Sequence, residues 1–423
     1  METVILIVFV LGYIAIATEH YIRINKAASA LITAVVCWTL YVIGGQDHEI
    51  INEHLLEHLA DAAGILFFLL GAMTIVELID AHNGFDVITD RINTTNKRNL
   101  LWIVCGLSFF LSAILDNLTT TIVMISLVRK LIDVDKDRLM FAGMIVIASN
   151  AGGAWSPIGD VTTTMLWIGG QITASNIILQ VFLPSLVCLL VPLIIISFSV
   201  NGTIQKPVNE SKSITKKEKF ESSLIFWLGI AALLFVPVFK TLTGLPPFMG
   251  MLFSLGFIWT VTEIIHKKKD EKDQLSVVSA LQKIDSPSIL FFLGILLSIG
   301  VLQSTGVLGN VATYLSAKMP DLNLLTTTIG VLSAIVDNVP LVAASQGMFS
   351  LEQYPVDHHL WEMLAYTTGT GGSILIIGSA AGVIAMGMEK ISFIWYIKKF
   401  SLLALAGYIS GVMVFILQKM ITG

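Results

Sequence analysis

The chain alternates between long apolar blocks and short polar breaks. The blocks run at about 3–18, 27–45, 62–79, 99–132, 139–172, 177–200, 222–240, 246–265, 287–303, 324–349, 360–388 and 400–420. Most approach the ~20 residues with which a helix crosses a hydrocarbon core, whereas barrel strands are about half that length and alternate in polarity. The pattern therefore predicts an all-α polytopic membrane protein. Block 99–132 is too long for one crossing and is interrupted at its middle by Asp116 and Asn117. Block 324–349 is interrupted likewise by Asp337 and Asn338. Each is read as a re-entrant hairpin with that pair at its tip. Blocks 139–172 and 360–388 carry glycine pairs and polar residues mid-block and are read as discontinuous helices.

The two halves of the chain repeat each other. ILFFL at 65–69 recurs at 289–293, LSAILDN at 111–117 recurs as LSAIVDN at 332–338, and Gly152, Gly153, Ile158 and Gly159 recur as Gly371, Gly372, Ile377 and Gly378. The offsets are 224, 221 and 219 residues, in order and nearly constant. The expected organisation is a first repeat over 1–200, a lysine-bearing linker over 201–221 and a second repeat over 222–423. Each repeat then holds five crossings, one of them discontinuous, and one re-entrant hairpin. An odd number of crossings places the second repeat upside down in the bilayer, the inverted-topology plan of many secondary transporters.

Charge placement tests that count independently. With both termini outside, every one of the 25 Lys and Arg residues except Lys240, Lys318 and Lys419 falls in a cytoplasmic segment, including the linker lysines Lys206, Lys212, Lys216, Lys217 and Lys219 and the run Lys267–Lys269. That is the bias of the positive-inside rule. The opposite face carries acids and histidines, with His54, His58, His358 and His359 read as solvated loop residues. Composition agrees: 13% charged and 55% hydrophobic residues, against about 25% charged in soluble domains. The formal net charge of −5 says little about partners. Cys37, Cys105 and Cys188 lie inside apolar blocks and read as buried thiols, not a disulfide or metal framework. The first block has neither a basic leader nor a small-residue cleavage site and reads as a retained membrane helix.

Three aspartates are expected deep within apolar blocks: Asp116, Asp160 and Asp337. An ionisable group at that depth is costly and marks an ion or proton path. Asp160 lies in a polar interruption, SNAGGAWSPIGDVTTT at 149–164, in which Gly and Pro break the hydrogen-bond ladder. Unwound backbone is tolerated there only where it lines a cavity or is buried in protein. Broken helices and hairpin tips offer carbonyls, carboxylates and the side-chain oxygens of Asn117, Thr119, Thr120, Asn150, Ser156 and Thr162, the oxygen donors that a hard cation prefers. A desolvated aspartate can hold either a proton or a metal ion near neutral pH, and that competition is the simplest route to coupled exchange. Asp116 and Asp337 are also suited to cap the second hairpin arms, which is compatible with ion binding.

The Asp-Asn hairpin tips and the 149–164 segment resemble the NhaD-type sodium/proton antiporters of the ion transporter superfamily, over essentially the whole chain. The resemblance implies a scaffold body used for homodimerisation, a mobile body of hairpins and broken helices, and an elevator-like movement. It implies exchange of cytoplasmic Na⁺, with Li⁺ as a further substrate, for external H⁺ in a bacterial plasma membrane. No cofactor beyond the transported ions, no enzymatic activity and no nucleic-acid partner is implied. By position, Asp116, Asn117, Asn150, Asp160, Thr162, Thr163 and Asp337 match the family's functional residues. The expected ion-binding set is Asp116, Asn117, Asn150, Asp160 and Asp337, supported by Thr119, Thr120, Ser156, Thr162, Thr163 and Asn338, with Na⁺ held at Asp116, Asn150, Asp160 and Thr162. The second half departs from the first, because Ser379 stands where Asp160 has its counterpart and Leu375-Ile376 replace Ser156-Pro157. Two rivals are weaker. An anion carrier for dicarboxylates or arsenite would place neutral residues at tips that here carry aspartates. An intramembrane aspartyl protease would need a shared-proton dyad and flanking motifs that this chain lacks.

Overall fold

The computed structural model describes residues 2–44, 48–89, 92, 94–204, 216–266 and 275–422. In chain order its principal helices are α1 Glu2–Ala17, α2 Lys26–Ile43, α3 His48–Ala81, α4 Lys97–Leu115, α5 Asn117–Leu131, α6 Asp135–Ala154, α7 Val161–Ile168, α8 Ala174–Ser199 and α9 Lys216–Thr243. There follow α10 Pro247–His266, α11 Ser286–Ser304, α12 Val307–Lys318, α13 Leu322–Leu332, α14 Asn338–Met348, α15 His359–Gly371, α16 Ala380–Glu389 and α17 Leu402–Thr422. Shorter helical turns join them. Among the described residues, eight stretches are long and apolar enough to cross a membrane: α2, α3, α4, α8, α9, α10, α11 and the run ending in α17. The chain is thus an all-helical membrane protein of many spans. All three cysteines are free and buried.

The expected hairpins and breaks appear as interruptions of helix. α4 gives way to α5 at the single residue Asp116, and α6 gives way to α7 across 155–160. In the second half the hairpin interruption is longer, 333–337 between α13 and α14, and the break between α15 and α16 spans 372–379. The first arm of each pair carries a contact to the segment that follows the second arm. Lys97 Nζ at the start of α4 lies 2.7 Å from Asp137 Oδ2, just beyond the end of α5. Asn323 Oδ1 at the start of α13 lies 2.6 Å from Nε2 of His359, beyond the end of α14.

Packing sorts the helices into two bodies. α2 packs on α1 and α11, and α3 packs on α9, α10 and α11. The second body holds α4–α8 and α13–α17, and it meets the first through α3–α7, α4–α9 and α11–α14. Inside it the halves interlock: α7 packs on α14 of the second hairpin, and α16 packs on α5 of the first. Close backbone approach fixes each hairpin to its neighbouring broken helix. A methyl group at Gly152 would strike the carbonyl of Phe109, and one at Gly371 would strike that of Gly330. Beside these close approaches Ser112 Oγ donates to the Ser149 carbonyl (2.6 Å) and Ser333 Oγ to that of Thr368 (2.9 Å).

Some expectations change. The acidic stretch 48–61 is not a loop, because it forms the first turns of α3. His54 stacks on Tyr41, and His58 Nε2 lies 2.9 Å from Ser304 Oγ. His359 packs against Phe415, and His358 accepts from the Leu360 backbone. Burial in the connection before α15 holds the His358 imidazole below its ordinary pKa. These four rings are half-buried, each with a packing or polar partner, and the loop expected at His54 and His58 is helix. α12 occupies a stretch that has no long apolar block. Arg91, Lys206, Lys212, Lys267, Lys268, Lys269 and Lys272, with most of the 201–221 linker, lie outside the described residues.

Candidate functional site

Asp116, Asp160 and Asp337 all cap the starts of helices. Asp116 Oδ1 and Oδ2 accept from Thr119 N (2.8 Å) and Thr119 Oγ1 (2.9 Å) at the start of α5. Asp160 Oδ1 accepts from Thr162 N (2.8 Å) and Thr162 Oγ1 (2.6 Å) at the start of α7. Asp337 Oδ1 accepts from Val339 N (3.2 Å) at the start of α14. The fourth half-helix, α16, is capped by Ser379, whose hydroxyl accepts from Gly382 N at 3.2 Å. Helix N-termini carry partial positive charge. Carboxylates on three of the four turn a junction suited to anions into one suited to cations.

Side-chain amides draw these starts together. Asn117 Nδ2 donates to Asp160 Oδ2 (2.5 Å) and to Asn150 Oδ1 (3.0 Å), and Asn338 Nδ2 reaches Asp160 Oδ1 at 3.4 Å. Asn150 Nδ2 in turn donates to Ser373 Oγ (2.9 Å) and Ser379 Oγ (2.8 Å). Asp160 is 1% exposed and stands at the centre of this network. A cavity of about 50 Å³ opens beside it, lined among others by Asp116, Asn117, Asp160, Asp337 and Asn338. It shares Lys26, Asp337 and Ala380 with a larger cavity of about 600 Å³. Among the described residues no three His, Cys, Asp or Glu side chains cluster as a metal centre would require. The other groups bonded to Asp116 and Asp160 are neutral amides, hydroxyls and backbone N–H groups, which leaves their negative charge for a monovalent cation.

Asp116 also carries backbone strain. Its φ of 81° and ψ of 163° place it in a region that L-residues rarely adopt, at a cost of about 1–3 kcal/mol that only surrounding structure can hold. A single residue turns the first hairpin, and the aspartate there is presented by that strained turn.

The predicted residues divide by what they touch. Asp116, Asn117, Asp160, Asp337 and Asn338 border the small cavity. Asn150 and Thr162 bind its walls in place. Ser156 Oγ donates to the Ala113 carbonyl (2.5 Å) and Thr163 Oγ1 to that of Asp160 (2.9 Å), so both brace the unwound backbone. Thr119 holds Asp116, and Thr120 is buried one turn beyond Asn117. Sequence reasoning missed Ser373 and Ser379 as partners of Asn150. It also missed Lys26, whose ammonium lies 3.3 Å from Asp337 Oδ2. A further pair joins the buried Glu362 to the half-buried Lys419 at 2.7 Å, with Asn176 donating to the same carboxylate. Only the repeat offset signalled Ser379, and nothing local signalled the ion pairs.

Comparison with known proteins places the molecule. The citrate transporter family profile matches residues 13–369. Sodium/proton antiporter 1 of Arabidopsis thaliana is 50% identical over 96% of this chain and 70% of its own length, and sodium/proton antiporter 2 of the same plant is 46% identical over 97% and 98%. The Na⁺/H⁺ antiporter NhaD of Alkalimonas amylolytica is 31% identical over 96% and 88%. Plants as well as bacteria therefore hold relatives of this chain, so similarity does not assign a bacterial source. The chain belongs to the citrate transporter family, among the NhaD-type sodium/proton antiporters, and is a membrane transporter and not an enzyme.

Proposed function

We propose that the protein exchanges cytoplasmic Na⁺, and Li⁺, for external H⁺ at the junction of Asp116 and Asp160. The observation that carries the reading is the Asp160 carboxylate, buried at the junction of four half-helix starts and held by Asn117, Asn338 and Thr162 beside Asp116. The names of the relatives support Na⁺ and H⁺. In this cycle Na⁺ enters with both carboxylates ionised, loses most of its water and is held by Asp116, Asn150, Asp160 and Thr162, with Asn117 and Asp337 bordering the path. Ion binding neutralises the site enough to cross the low-dielectric barrier. Protons displace Na⁺ on the outer side, and the protonated site returns.

The matched backbone clamps of the two halves, and the interlocking of α7 with α14 and α16 with α5, support two repeats of opposite topology over 1–200 and 222–423 joined by 201–221. The two packed bodies support an elevator movement of one against the other, with the first body as the dimer scaffold. The lysine bias supports both termini on the side opposite the cytoplasm.

A second reading, a citrate or other anion carrier, is favoured only by the description of the family profile. Three aspartates capping the half-helix starts oppose it, because they repel an anionic cargo. Labelled Na⁺ uptake into proteoliposomes driven by an outward proton gradient separates the two. Exchange predicts uptake whose apparent Na⁺ affinity falls as pH falls, by up to tenfold per pH unit where one proton excludes one ion. Citrate uptake without Na⁺ uptake, or a pH-independent Na⁺ affinity, would contradict it.

A further inference from the structure

Asp337 differs from the other two aspartates in having a cation beside it. Lys26 Nζ lies 3.3 Å from Asp337 Oδ2 and 4.3 Å from the centre of the Phe291 ring. The lysine is anchored at its backbone, where its N–H donates to Glu19 Oε1 at 3.1 Å. Asn25 caps the helix that Lys26 begins by accepting from Ala27 N. Ring and carboxylate thus hold the ammonium from two sides. Lys26 and Phe291 belong to the first body, in α2 and α11, whereas Asp337 caps α14 of the second.

The position of this pair is what gives it a role. Lys26 and Asp337 line both the small cavity with Asp116 and Asp160 and the large one, whose other charged residues are Glu19 and Arg23. The ammonium sits where a cation bound to the second hairpin would sit. Among the described residues the first hairpin has no such lysine: the groups that hold the Asp116 carboxylate are the hydroxyl and backbone of Thr119. A carboxylate whose charge is matched by a covalently attached ammonium gains little from a second cation, which would have to displace the lysine or add uncompensated charge at low dielectric.

We propose that Lys26 is a tethered cation at the second hairpin tip, occupying Asp337 and confining Na⁺ exchange to the Asp116–Asp160 side. The inference rests on the exchange reading above and adds the device that fixes how many ions move per cycle. A pair that merely braced the two bodies would alter rate or stability and leave ion counting untouched.

The test uses the full-length protein in proteoliposomes at fixed pH. Wild type, Lys26→Arg, Lys26→Met and Lys26→Met/Asp337→Asn are compared for the Na⁺ dependence of initial rate and for the Na⁺:H⁺ ratio from reversal potentials. Wild type and Lys26→Arg are expected to give a Hill slope of about one, Lys26→Met a slope rising toward two, and the double variant a return to about one, since the slope is bounded by the number of sites. An active Lys26→Met protein with unchanged slope and ratio overturns the proposal. Asp337→Asn supplies a measurement that does not depend on that variant folding. Its unpaired ammonium beside the site is expected to weaken apparent Na⁺ affinity by about tenfold or more, because repulsion between two unit charges at low dielectric is worth at least that. Wild-type affinity in Asp337→Asn equally overturns it. A wild-type protein without Na⁺/H⁺ exchange would overturn both this proposal and the reading beneath it, an outcome distinct from the other two.

Discussion

The two hairpin–broken-helix pairs share their mechanics and differ in their charge. In both, a serine of the hairpin bonds a carbonyl of the broken helix, and a glycine lets the two backbones touch. At the tips the likeness ends. The first turns on one strained residue, Asp116, and faces Asp160, whereas the second turns over five residues, pairs Asp337 with Lys26, and has Ser379 at the counterpart of Asp160. What holds broken backbone in place is the same in each half, because unpaired carbonyls in a bilayer are expensive wherever they occur. What lines the cavity is free to diverge, and here two aspartates border it from one half while the other half pairs its aspartate with a lysine.

Substitutions at paired positions can break this comparison. The largest contrast is expected between Asp160→Asn and Ser379→Ala. The first removes a buried carboxylate on which Asn117, Asn338 and Thr162 converge. Exchange should fall by at least ~100-fold, the equivalent of about 3 kcal/mol of ion binding. The second removes one of two serine acceptors from Asn150 and should cost about tenfold or less. Initial rates of labelled Na⁺ uptake compare them, and equal losses would mean that the halves contribute alike.

A smaller contrast lies between the two amides on Asp160. Asn117 donates at 2.5 Å and also holds Asn150, whereas Asn338 reaches the carboxylate at 3.4 Å. Asn117→Ala should therefore weaken apparent Na⁺ affinity by about tenfold, the value of a charge-assisted bond of ~1.5 kcal/mol, and Asn338→Ala by only a fewfold. The reverse order would shift the centre of the site toward the second hairpin.

The smallest effects are expected where the halves agree. Ser112→Ala and Ser333→Ala each leave one buried carbonyl without its donor. Each should lower stability by about 1 kcal/mol, read as matching drops of a few degrees in the melting temperature of the detergent-solubilised protein. A large loss in one and none in the other would show that the clamps are not equivalent.

Much of this was legible in the chain because polar groups within apolar blocks are costly and so carry information. Asp116, Asp337 and the break before Asp160 were readable for that reason, as were the interruptions of helix at the two Asp-Asn pairs. The repeat offset even relates Ser112 with Ser149 to Ser333 with Thr368. Other features left no local trace. Lys26 lies at the start of a helix, where a lysine is expected as a topology signal, and its partner is 311 residues away. Glu362 and Lys419 each look like interfacial charges until the fold joins them. His54 and His58 of α3 lie among acids and read as solvated, although His54 stacks on Tyr41 and His58 bonds Ser304. In each case the chemistry arises from a meeting of residues across the fold, not from the neighbouring sequence.

The central claim is that Na⁺ and H⁺ compete at Asp116 and Asp160. The most direct test is the Na⁺-induced collapse of an imposed pH gradient in proteoliposomes, followed by a fluorescent ΔpH probe. Wild type would be measured beside Asp116→Asn and Asp160→Asn, each shown by size exclusion to be folded. The account predicts rapid collapse on adding Na⁺ to wild type, and none above background in Asp160→Asn. A full response in folded Asp160→Asn, or a wild type indifferent to Na⁺ yet responsive to citrate, would contradict it.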